Sequence, residues 1–543
     1  MGTGTSTDTS TDTSTKVNTD ISPSDNPGMQ TEPSLSNLKN HLAATCLLTA
    51  ALICSAQSLP PEVEAALARA KVPREALAAL VVDAAPALGA LSYPANAAAG
   101  KAGPLLSHRA NASVNPASVM KLVTTYAGLE LLGPAYTWPT LVYVDGPISG
   151  GTLNGNLIIQ GKGDPKLVIE RLWLLLRRVQ SLGIKNISGD ILLDRSAFST
   201  LPPNPADFDG EPLRPYNAAP DALLINFKSV VMTFVPNPGA GVASVSFEPP
   251  LANVQMQTTV PLAAGKTAAS LGDCGDYRGA LAADFSDPFR ISFKGAYPAA
   301  CGEKVWPVAY ADPASYAERA VQGMWMEIGG KLSGRVREGR APAAARPVFE
   351  VASGTLADTI QGINKFSNNV MAQQLFLTLS LPRPGLAPIG APNAPANGAP
   401  NAPASFEASR EVVRAWWRER FGEQDMPTLD NGSGLSRQER ITPQGLARML
   451  QTAYASGAMP ELMASLPITG IDGTLRRSKS RVSQGWAHLK TGSLRDSTAL
   501  AGYVHTPSGR RLVVVGVINH PNAAAARPAL EALVDWAVKE GAK

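Results

Sequence analysis

The chain has 543 residues, of which 44% are hydrophobic, so it can bury a substantial core and is expected to divide into more than one domain. Its net charge of +4 and isoelectric point of about 8.8 are mild, and it has no dense Lys/Arg stripe with interleaved aromatic residues. This balance argues against a nucleic-acid-binding protein. The sequence therefore predicts a multidomain globular protein with no nucleic-acid partner.

The N-terminal part has the composition of a leader. Residues 1–34 are mainly Ser, Thr, Asp and Gly, which indicates a disordered tail or a start codon assigned too early, with Met29 as the alternative start. The apolar segment 42–56 ends in small residues, as a secretory signal peptide cleaved after Ala56 would. It is too short for an ordinary transmembrane helix. An uncleaved anchor or a buried helix is the alternative reading of this segment, and we expect a leader over 1–56.

Export predicts a disulfide. In an oxidising compartment the mature chain would keep Cys274 and Cys301 as its remaining cysteines. We expect a bond between them, which in the chain-entropy model would stabilise the fold by about 3 to 4 kcal/mol. Two free, buried cysteines are the alternative.

The mature chain opens with a mixture of helix and strand patterns. Residues 61–70 predict a short helix, 79–84 a buried strand and 104–109 its partner strand. After a turn, a helix is predicted over 118–132 with one side buried. The apolar residues of that side recur at helical spacing: Leu122, Val123, Tyr126, Leu129 and Leu132.

The pattern changes from residue 137 onward. A hairpin is predicted over 141–160, a helix over 168–182 and a strand over 189–194. Short alternating runs between 230 and 297 indicate an all-β portion. We interpret 137–304 as an inserted region.

The C-terminal part returns to helix and then to sheet. Helical patterns cover 315–328 and 356–379, and the Pro-, Ala-, Asn- and Gly-rich segment 382–403 predicts an exposed loop without chemistry. Two antiparallel strands are predicted over 500–504 and 511–518. The last helix should pack on them through one apolar face. This face carries Leu530, Leu533, Val534, Ala537 and Val538.

Three short motifs carry the candidate chemistry. They are Ser118-Val119-Met120-Lys121, Ser367-Asn368-Asn369 and Lys490-Thr491-Gly492-Ser493. Taken singly they are a helix cap with a solvated lysine, a polar turn and a strand end. Taken together and in this order, they are the motifs of the penicillin-recognising serine enzymes. The i, i+3 spacing of the first motif places Lys121 within reach of the Ser118 hydroxyl.

The residue types suit acyl transfer. Ser118 is the predicted nucleophile and Lys121 its base, with a proton affinity influenced by Lys490. Ser367 would relay a proton to the leaving amine, and the amide of Asn369 would hold the substrate.

The strand motif suits the substrate end. Lys490 and Thr491 would bind a terminal carboxylate, and Gly492 would let the substrate lie close to the strand. The N–H groups of Ser118 and Ser493 would form an oxyanion hole. The five histidines form no spaced ligand set and no Gly-x-Ser-x-Gly elbow occurs, so neither a metal nor a cofactor is expected.

With these motifs the chain resembles the D-alanyl-D-alanine carboxypeptidase/endopeptidases of the penicillin-binding protein 4 type, the class C low-molecular-mass group. The resemblance implies an α/β (α+β) fold: a β-lactamase/transpeptidase-like domain over 57–136 and 305–543, with an antiparallel sheet flanked by helices and a helical subdomain. A mixed, partly all-β region of two small domains is inserted over 137–304. Further segments similar to that family are Gly161-Lys162-Gly163-Asp164-Pro165, Pro215-Tyr216-Asn217-Ala218 and Asp430-Asn431-Gly432-Ser433-Gly434-Leu435-Ser436-Arg437.

The resemblance also implies the substrate. It predicts a periplasmic enzyme, at most loosely membrane-associated, that acts on peptidoglycan peptides through a Ser118 acyl-enzyme and is acylated by β-lactams. Asp194 and Arg437 would approach the diaminopimelate side chain. Two positions depart from the common pattern: Asn368 replaces an aspartate that is not a working residue, and Arg495 stands where some relatives carry a neutral amide.

Two alternatives stay open. A β-lactamase would share Ser118, Lys121 and Lys490 but needs fast deacylation, and the Glu-x-x-Leu-Asn segment of the class A enzymes is not seen between the motifs. The other alternative is a penicillin-sensing or wall-binding module that is acylated without catalysis.

Overall fold

A computed structural model describes residues 58–85, 103–199, 204–263, 274–382 and 402–543. The predicted leader and signal peptide, and most of the predicted loop over 382–403, lie outside these residues. Within the described ranges, no helix combines the length and the apolar character needed to cross a membrane.

The helices are α1 Pro61–Arg69, α2 Lys121–Leu132, α3 Ile169–Ser181, α4 Tyr277–Leu281, α5 Tyr316–Glu327, α6 Leu356–Lys365, α7 Asn369–Thr378, α8 Phe406–Phe421, α9 Pro443–Tyr454, α10 Met459–Ala464 and α11 Arg527–Gly541. The strands are β1 Leu77–Asp83, β2 Leu106–His108, β3 Pro139–Val144, β4 Ile148–Ser149, β5 Thr152–Leu153, β6 Leu157–Gln160, β7 Asn186–Ile187, β8 Ile191–Asp194, β9 Ser229–Asn237, β10 Val242–Glu248, β11 Gln255–Met256, β12 Thr259–Pro261, β13 Ala283–Asp284, β14 Arg290–Phe293, β15 Lys304–Ala309, β16 Lys331–Leu332, β17 Val336–Glu338, β18 Phe349–Ala352, β19 Ala487–Leu494, β20 Ser497–His505 and β21 Arg511–Asn519.

The main sheet joins both ends of the described chain. Its order is β19-β20-β21-β1-β2, and every pairing is antiparallel. Alternate residues of β21 point to opposite faces: Val513, Val515 and Val517 lie in a core with the central helices, whereas Leu512, Val514 and Ile518 lie in a core with α1 and α11. Helices therefore cover both faces, which explains why these strands are almost continuously hydrophobic.

The predicted elements around this sheet are confirmed. β1 pairs with β2, β20 pairs with β21, and all five predicted residues of the last helix are buried. Burial of α2 goes beyond the predicted apolar side, because Lys121 to Leu129 are all buried. The helices α6 to α10 contact α2 and enclose its whole first half.

The region between α2 and α6 is rich in strands. Its sheets have the orders β17-β8-β6-β3-β18, β16-β7-β5-β4, β12-β10-β9-β15 and β11-β14-β13. The predicted hairpin is present, since β3 pairs antiparallel with β6. The pairings of β17 with β8 and of β18 with β3 bring residues 331–352 into the same sheets as 139–194. The division into a domain over 57–136 and 305–543 and an insert over 137–304 stays a prediction.

The predicted disulfide is confirmed, because Cys274 and Cys301 are bonded. It closes a loop that contains α4 and β14. Cys301 belongs to the hydrophobic core of the strand-rich region, with Tyr277 and Cys274 packed against that core.

Candidate active site

Ser118 lies on a short 3₁₀ turn, Ala117–Met120, that leads into α2. The turn is fastened to the end of the main sheet through Asn115. The Asn115 side-chain oxygen accepts from the N–H of Ala117 at 2.9 Å, and its backbone N–H donates to Asn519 at 2.8 Å. Ser497 donates to the Asn115 carbonyl at 2.9 Å. The half-buried Ser118 hydroxyl is thus held in place between helix and sheet.

Lys121 is completely buried and joins three parts of the site. Its Nζ donates to Ser118 Oγ at 2.9 Å, to Asn369 Oδ1 at 2.6 Å and to the carbonyl of Ser433. Burial and, next, the positive charge of Lys490 lower the pKa of Lys121 well below its ordinary value, while Glu439 opposes them. A fixed amine whose pKa is lowered and which is in contact with a hydroxyl is the arrangement that a general base requires.

The second motif lies where α6 ends and α7 begins. Ser367 has a left-handed backbone, with φ of 57°, and its Oγ accepts from Lys490 Nζ at 2.9 Å. Asn369 is the first residue of α7, and its Nδ2 donates to the carbonyl of Tyr216 at 3.1 Å. Asn368 caps α7, because its side chain accepts from the N–H of Met371 at 3.0 Å. The middle position therefore faces its own helix, while Ser367 and Asn369 face the two lysines.

The third motif lies on β19 at the edge of the main sheet. Lys490 is completely buried, and burial lowers its pKa to about 7. Its Nζ also donates to the carbonyl of Thr491 at 2.6 Å, and the Thr491 hydroxyl lies 2.7 Å from that of Thr474. Ser493 is exposed.

Gly492 packs against protein. A Cβ at this position would lie 2.5 Å from the Pro116 carbonyl oxygen and 3.1 Å from the N–H nitrogen of Ser118. From the sequence, the expected reason for this glycine is the need for substrate to lie close to the strand. The structure shows a different one, since only a residue without a side chain lets β19 lie against the turn that carries Ser118.

A model of the D-Ala-D-Ala carboxypeptidase 3 (S13) peptidase family matches residues 74–540 of the chain, which include all three motifs. The protein belongs to this family. It is therefore a peptidase of the D-Ala-D-Ala carboxypeptidase class, and the predicted resemblance is confirmed.

Known relatives of this S13 peptidase cover most of its length. The D-alanyl-D-alanine carboxypeptidase DacB of Haemophilus influenzae is 26% identical over 417 residues, which are 74% of this chain and 80% of the relative. The D-alanyl-D-alanine carboxypeptidase of an Actinomadura species is 26% identical over 408 residues, 73% of this chain and 71% of the relative.

The fold comparison agrees with the family. The crystal structure of penicillin binding protein 4 from Haemophilus influenzae aligns with a TM-score of 0.63 at 22% sequence identity and covers 87% of this chain and 99% of that one. This match confirms the predicted fold class, a β-lactamase/transpeptidase-like domain with inserted domains.

The two residues expected at the diaminopimelate side chain lie in different surroundings. Asp194 is buried, and its carboxylate accepts from Gln160 Nε2 at 2.6 Å and from the N–H groups of Ser196 and Ala341, both at 2.9 Å. None of these hydrogen bonds reaches a motif residue.

Arg437 is exposed and lies beside the motifs. Its guanidinium stacks on Phe208, 5.0 Å from the ring centroid. The following residue, Asp209, accepts from the hydroxyl of Tyr216, the residue whose carbonyl holds Asn369. Of the two predicted residues, Arg437 is the one whose neighbours lead to a motif residue, Asn369, and its role stays a prediction.

Two participants in the site were not identified from the sequence. The Ser433 carbonyl accepts from Lys121, and Glu439 is completely buried below the same loop. The segment 430–437 is similar to the family in sequence, but a backbone carbonyl has no signal in the sequence. A single glutamate after a polar loop is usually an exposed one.

Proposed function

We propose that the protein is an exported serine D-Ala-D-Ala carboxypeptidase and/or D,D-endopeptidase of periplasmic peptidoglycan that works through an acyl-enzyme on Ser118. The observation that carries the proposal is the buried Lys121 Nζ, which bridges Ser118 Oγ and Asn369 Oδ1. The family and the printed activities of its relatives support the D-Ala-D-Ala substrate class.

Acylation begins with a proton transfer. The neutral amine of Lys121 takes the proton of the Ser118 hydroxyl while Oγ bonds to the carbonyl carbon of the penultimate D-alanine. The N–H groups of Ser118 and Ser493 stabilise the oxyanion. The passage of Gly492 close to the Ser118 nitrogen supports this role, because the next residue on β19 is Ser493.

The tetrahedral intermediate then breaks its carbon–nitrogen bond. The leaving amine receives the proton that Lys121 took from Ser118, relayed through Ser367, whose hydroxyl is in contact with Lys490; Lys121 is then neutral again. It departs as free D-alanine, or as the amine of a cross-link in the endopeptidase reaction. Water hydrolyses the ester and regenerates Ser118, with Lys121 again taking a proton.

The substrate ends are bound on opposite sides of Ser118. Lys490 and Thr491 bind the terminal carboxylate, and Asn369 holds the amide of the peptide. Arg437 is proposed to meet a carboxylate of the peptide's side chain, as its exposed position allows. Asp194 stays a predicted contact, and its buried, hydrogen-bonded carboxylate lends that prediction no support.

Labelling with fluorescent penicillin and release of D-alanine from a pentapeptide test the proposal. Penicillin is a suitable probe because the Haemophilus influenzae relative has been crystallised with a β-lactam. We expect Ser118→Ala to lose both activities, by more than about 10⁴-fold, as for other serine nucleophiles. Ser113→Ala, at an exposed serine five residues earlier, is the control and should keep both.

The alternatives predict other outcomes. A penicillin-sensing module would label stably but release neither D-alanine nor cleaved cross-links, and that result would overturn the proposal. A β-lactamase would turn over bound penicillin within seconds, whereas the proposed enzyme keeps the label for minutes.

A further inference from the structure

Glu439 anchors a loop beside the site. Its side chain is completely buried, and its Oε1 accepts three backbone N–H groups, from Asp430 at 3.2 Å, Asn431 at 3.1 Å and Gly432 at 3.0 Å. Its Oε2 is also buried and has no hydrogen-bond partner among the described residues. One carboxylate oxygen therefore shapes the loop, while the other has no donor in contact among the described residues.

The loop that Glu439 holds lies directly against the nucleophile. The Gly432 carbonyl accepts from the Thr124 hydroxyl at 2.6 Å, and the next carbonyl, that of Ser433, accepts from Lys121 Nζ. A Cβ at Gly434 would collide with the carbonyl of Ala117, so loop and Ser118 turn are in backbone contact. The carboxylate of Glu439 and the amine of Lys121 thus bind two consecutive residues of one loop.

Three titratable side chains share this interior. Lys121, Lys490 and Glu439 are each 0% exposed. Burial raises the pKa of Glu439 to about 7, with Asp430 adding to the increase and the loop N–H groups opposing it. Lys490 faces Lys121 from β19 and lowers its pKa, whereas Glu439 raises it from the loop. An isolated buried carboxylate is costly, and a partner of opposite charge offsets that cost.

We propose that Glu439 is a positioning residue that aligns Lys121 through the Ser433 carbonyl and stabilises the ammonium form that Lys121 takes during acylation. The inference rests on the proposed function of Lys121 as the base. When the Ser118 proton moves to Lys121, a positive charge appears in an interior that already holds Lys490. The carboxylate of Glu439 compensates it without any rearrangement.

The substitution Glu439→Gln separates charge from shape. The glutamine oxygen can still accept the three N–H groups, and the NH₂ takes the place of the unpartnered Oε2. Without the negative charge the pKa of Lys121 falls further, so the base stays neutral to lower pH. The acid limb of the pH profile for penicillin acylation should therefore move to lower pH. The plateau should fall about tenfold, a part of what a general base contributes.

Two matched variants serve as controls. Glu439→Asp keeps the charge and should leave the acid limb in place, even where the shorter side chain lowers the plateau. Glu130→Gln removes another carboxylate from the same helix as Lys121, one that is bound by Tyr126, Trp416 and Arg420. Glu130 is nine residues away, about 13 Å along the helix, so the limb should not move.

An unmoved acid limb in Glu439→Gln would show that Glu439 only anchors the loop, and the inference would be wrong. If that variant does not fold, Glu439→Asn is compared with Glu439→Asp, which has the same length. If the acid limbs of these two variants lie at the same pH, the inference is overturned as well. Failure of the proposed function looks different, because the wild-type enzyme itself would then show no penicillin acylation or D-alanine release.

Discussion

Lys490 is buried at a cost in stability that depends on pH. Its pKa falls from an ordinary value of 10.5 to about 7 because burial disfavours the ammonium form. The folded chain therefore binds this proton less tightly than the unfolded chain. The cost is present in full below about pH 7, decreases between pH 7 and pH 10.5, and is absent above that range.

Replacement of this lysine should exchange activity for stability. Lys490→Met removes the charge and keeps a flexible chain, so D-alanine release is lost. The free energy of unfolding should rise by up to about 5 kcal/mol below pH 7, and this gain should disappear near pH 10.5. Urea unfolding at pH 6 and pH 10 measures it, with Lys479→Met at an exposed position as the control. A difference in unfolding free energy that is equal at both pH values would contradict the prediction.

The start of α7 shows how a motif can serve a helix as well as a reaction. The sequence pattern predicted helix throughout 356–379, but the structure interrupts it between Lys365 and Asn369. The left-handed Ser367 and the capping Asn368 cause the break. The motif was recognised from its residue types, while the backbone conformation that aims Ser367 at Lys490 follows only from packing.

Mutations can separate the role of Asn368 as a helix cap from the role of the Ser367 hydroxyl in the reaction. Asn368→Ala should lower the free energy of unfolding by about 1 kcal/mol, the usual value of an N-cap, and leave the rate of D-alanine release nearly unchanged. Asn368→Asp should retain the cap. Ser367→Ala should lose the rate and retain the cap, so that its effect on the unfolding free energy is limited to the lost Lys490 hydrogen bond. A large loss of rate in Asn368→Ala would contradict this assignment.

The close approach of β19 to the Ser118 turn predicts sensitivity at a single glycine. Gly492→Ala would place a Cβ 2.5 Å from the Pro116 carbonyl oxygen, so strand and turn must move apart. The oxyanion donors then lose their alignment, and the acylation rate should fall by about 100-fold or more. Gly457→Ala is the control, because no atom lies within 4 Å of its added Cβ. An unchanged acylation rate in Gly492→Ala would contradict the proposed oxyanion hole.

At the scale of the whole molecule, contacts between distant segments were the ones that sequence could not predict. The three motifs, the main strands and the last helix have local patterns of residue type or spacing. The burial of Glu439 near Lys121 depends on residues far apart in the chain. The same holds for the packing that requires a glycine at 492 and for the hydrogen bonds of Asp194. The roles of Arg437 and Asp194 stay predictions, and the resemblance could not show that the Asp194 carboxylate is already hydrogen-bonded.

Gln374 is a further contact of this long-range kind. It is completely buried on α7, donates to the carbonyls of Gly163 at 3.2 Å and Asp221 at 2.8 Å, and accepts from the N–H of Asp221 at 2.9 Å. The helix that begins with Asn369 is thereby tied to the strand-rich region.

Loss of this tie should affect both stability and rate. Gln374→Leu leaves buried backbone groups unpaired, so the free energy of unfolding should fall by about 2 to 3 kcal/mol. The rate of D-alanine release should fall with it, because Asn369 is carried by the same helix. Urea unfolding and the pentapeptide assay measure the two effects, with Gln424→Leu at an exposed position as the control. An unchanged unfolding free energy would show that the hydrogen bonds of Gln374 contribute nothing to stability.

The pairing of β1 with β21 has a consequence for the time at which the enzyme becomes active. The two strands are about 440 residues apart in the chain, and β1 lies between β21 and β2 in the main sheet. A growing polypeptide can pair β1 with the nearby β2, but β21, the partner on the other side of β1, is made only when nearly the whole chain has been synthesised. Chains that end at residue 510 should therefore not label with penicillin. The main sheet that holds the turn of the proposed nucleophile is thus completed last, so we expect an unfinished molecule to be inactive.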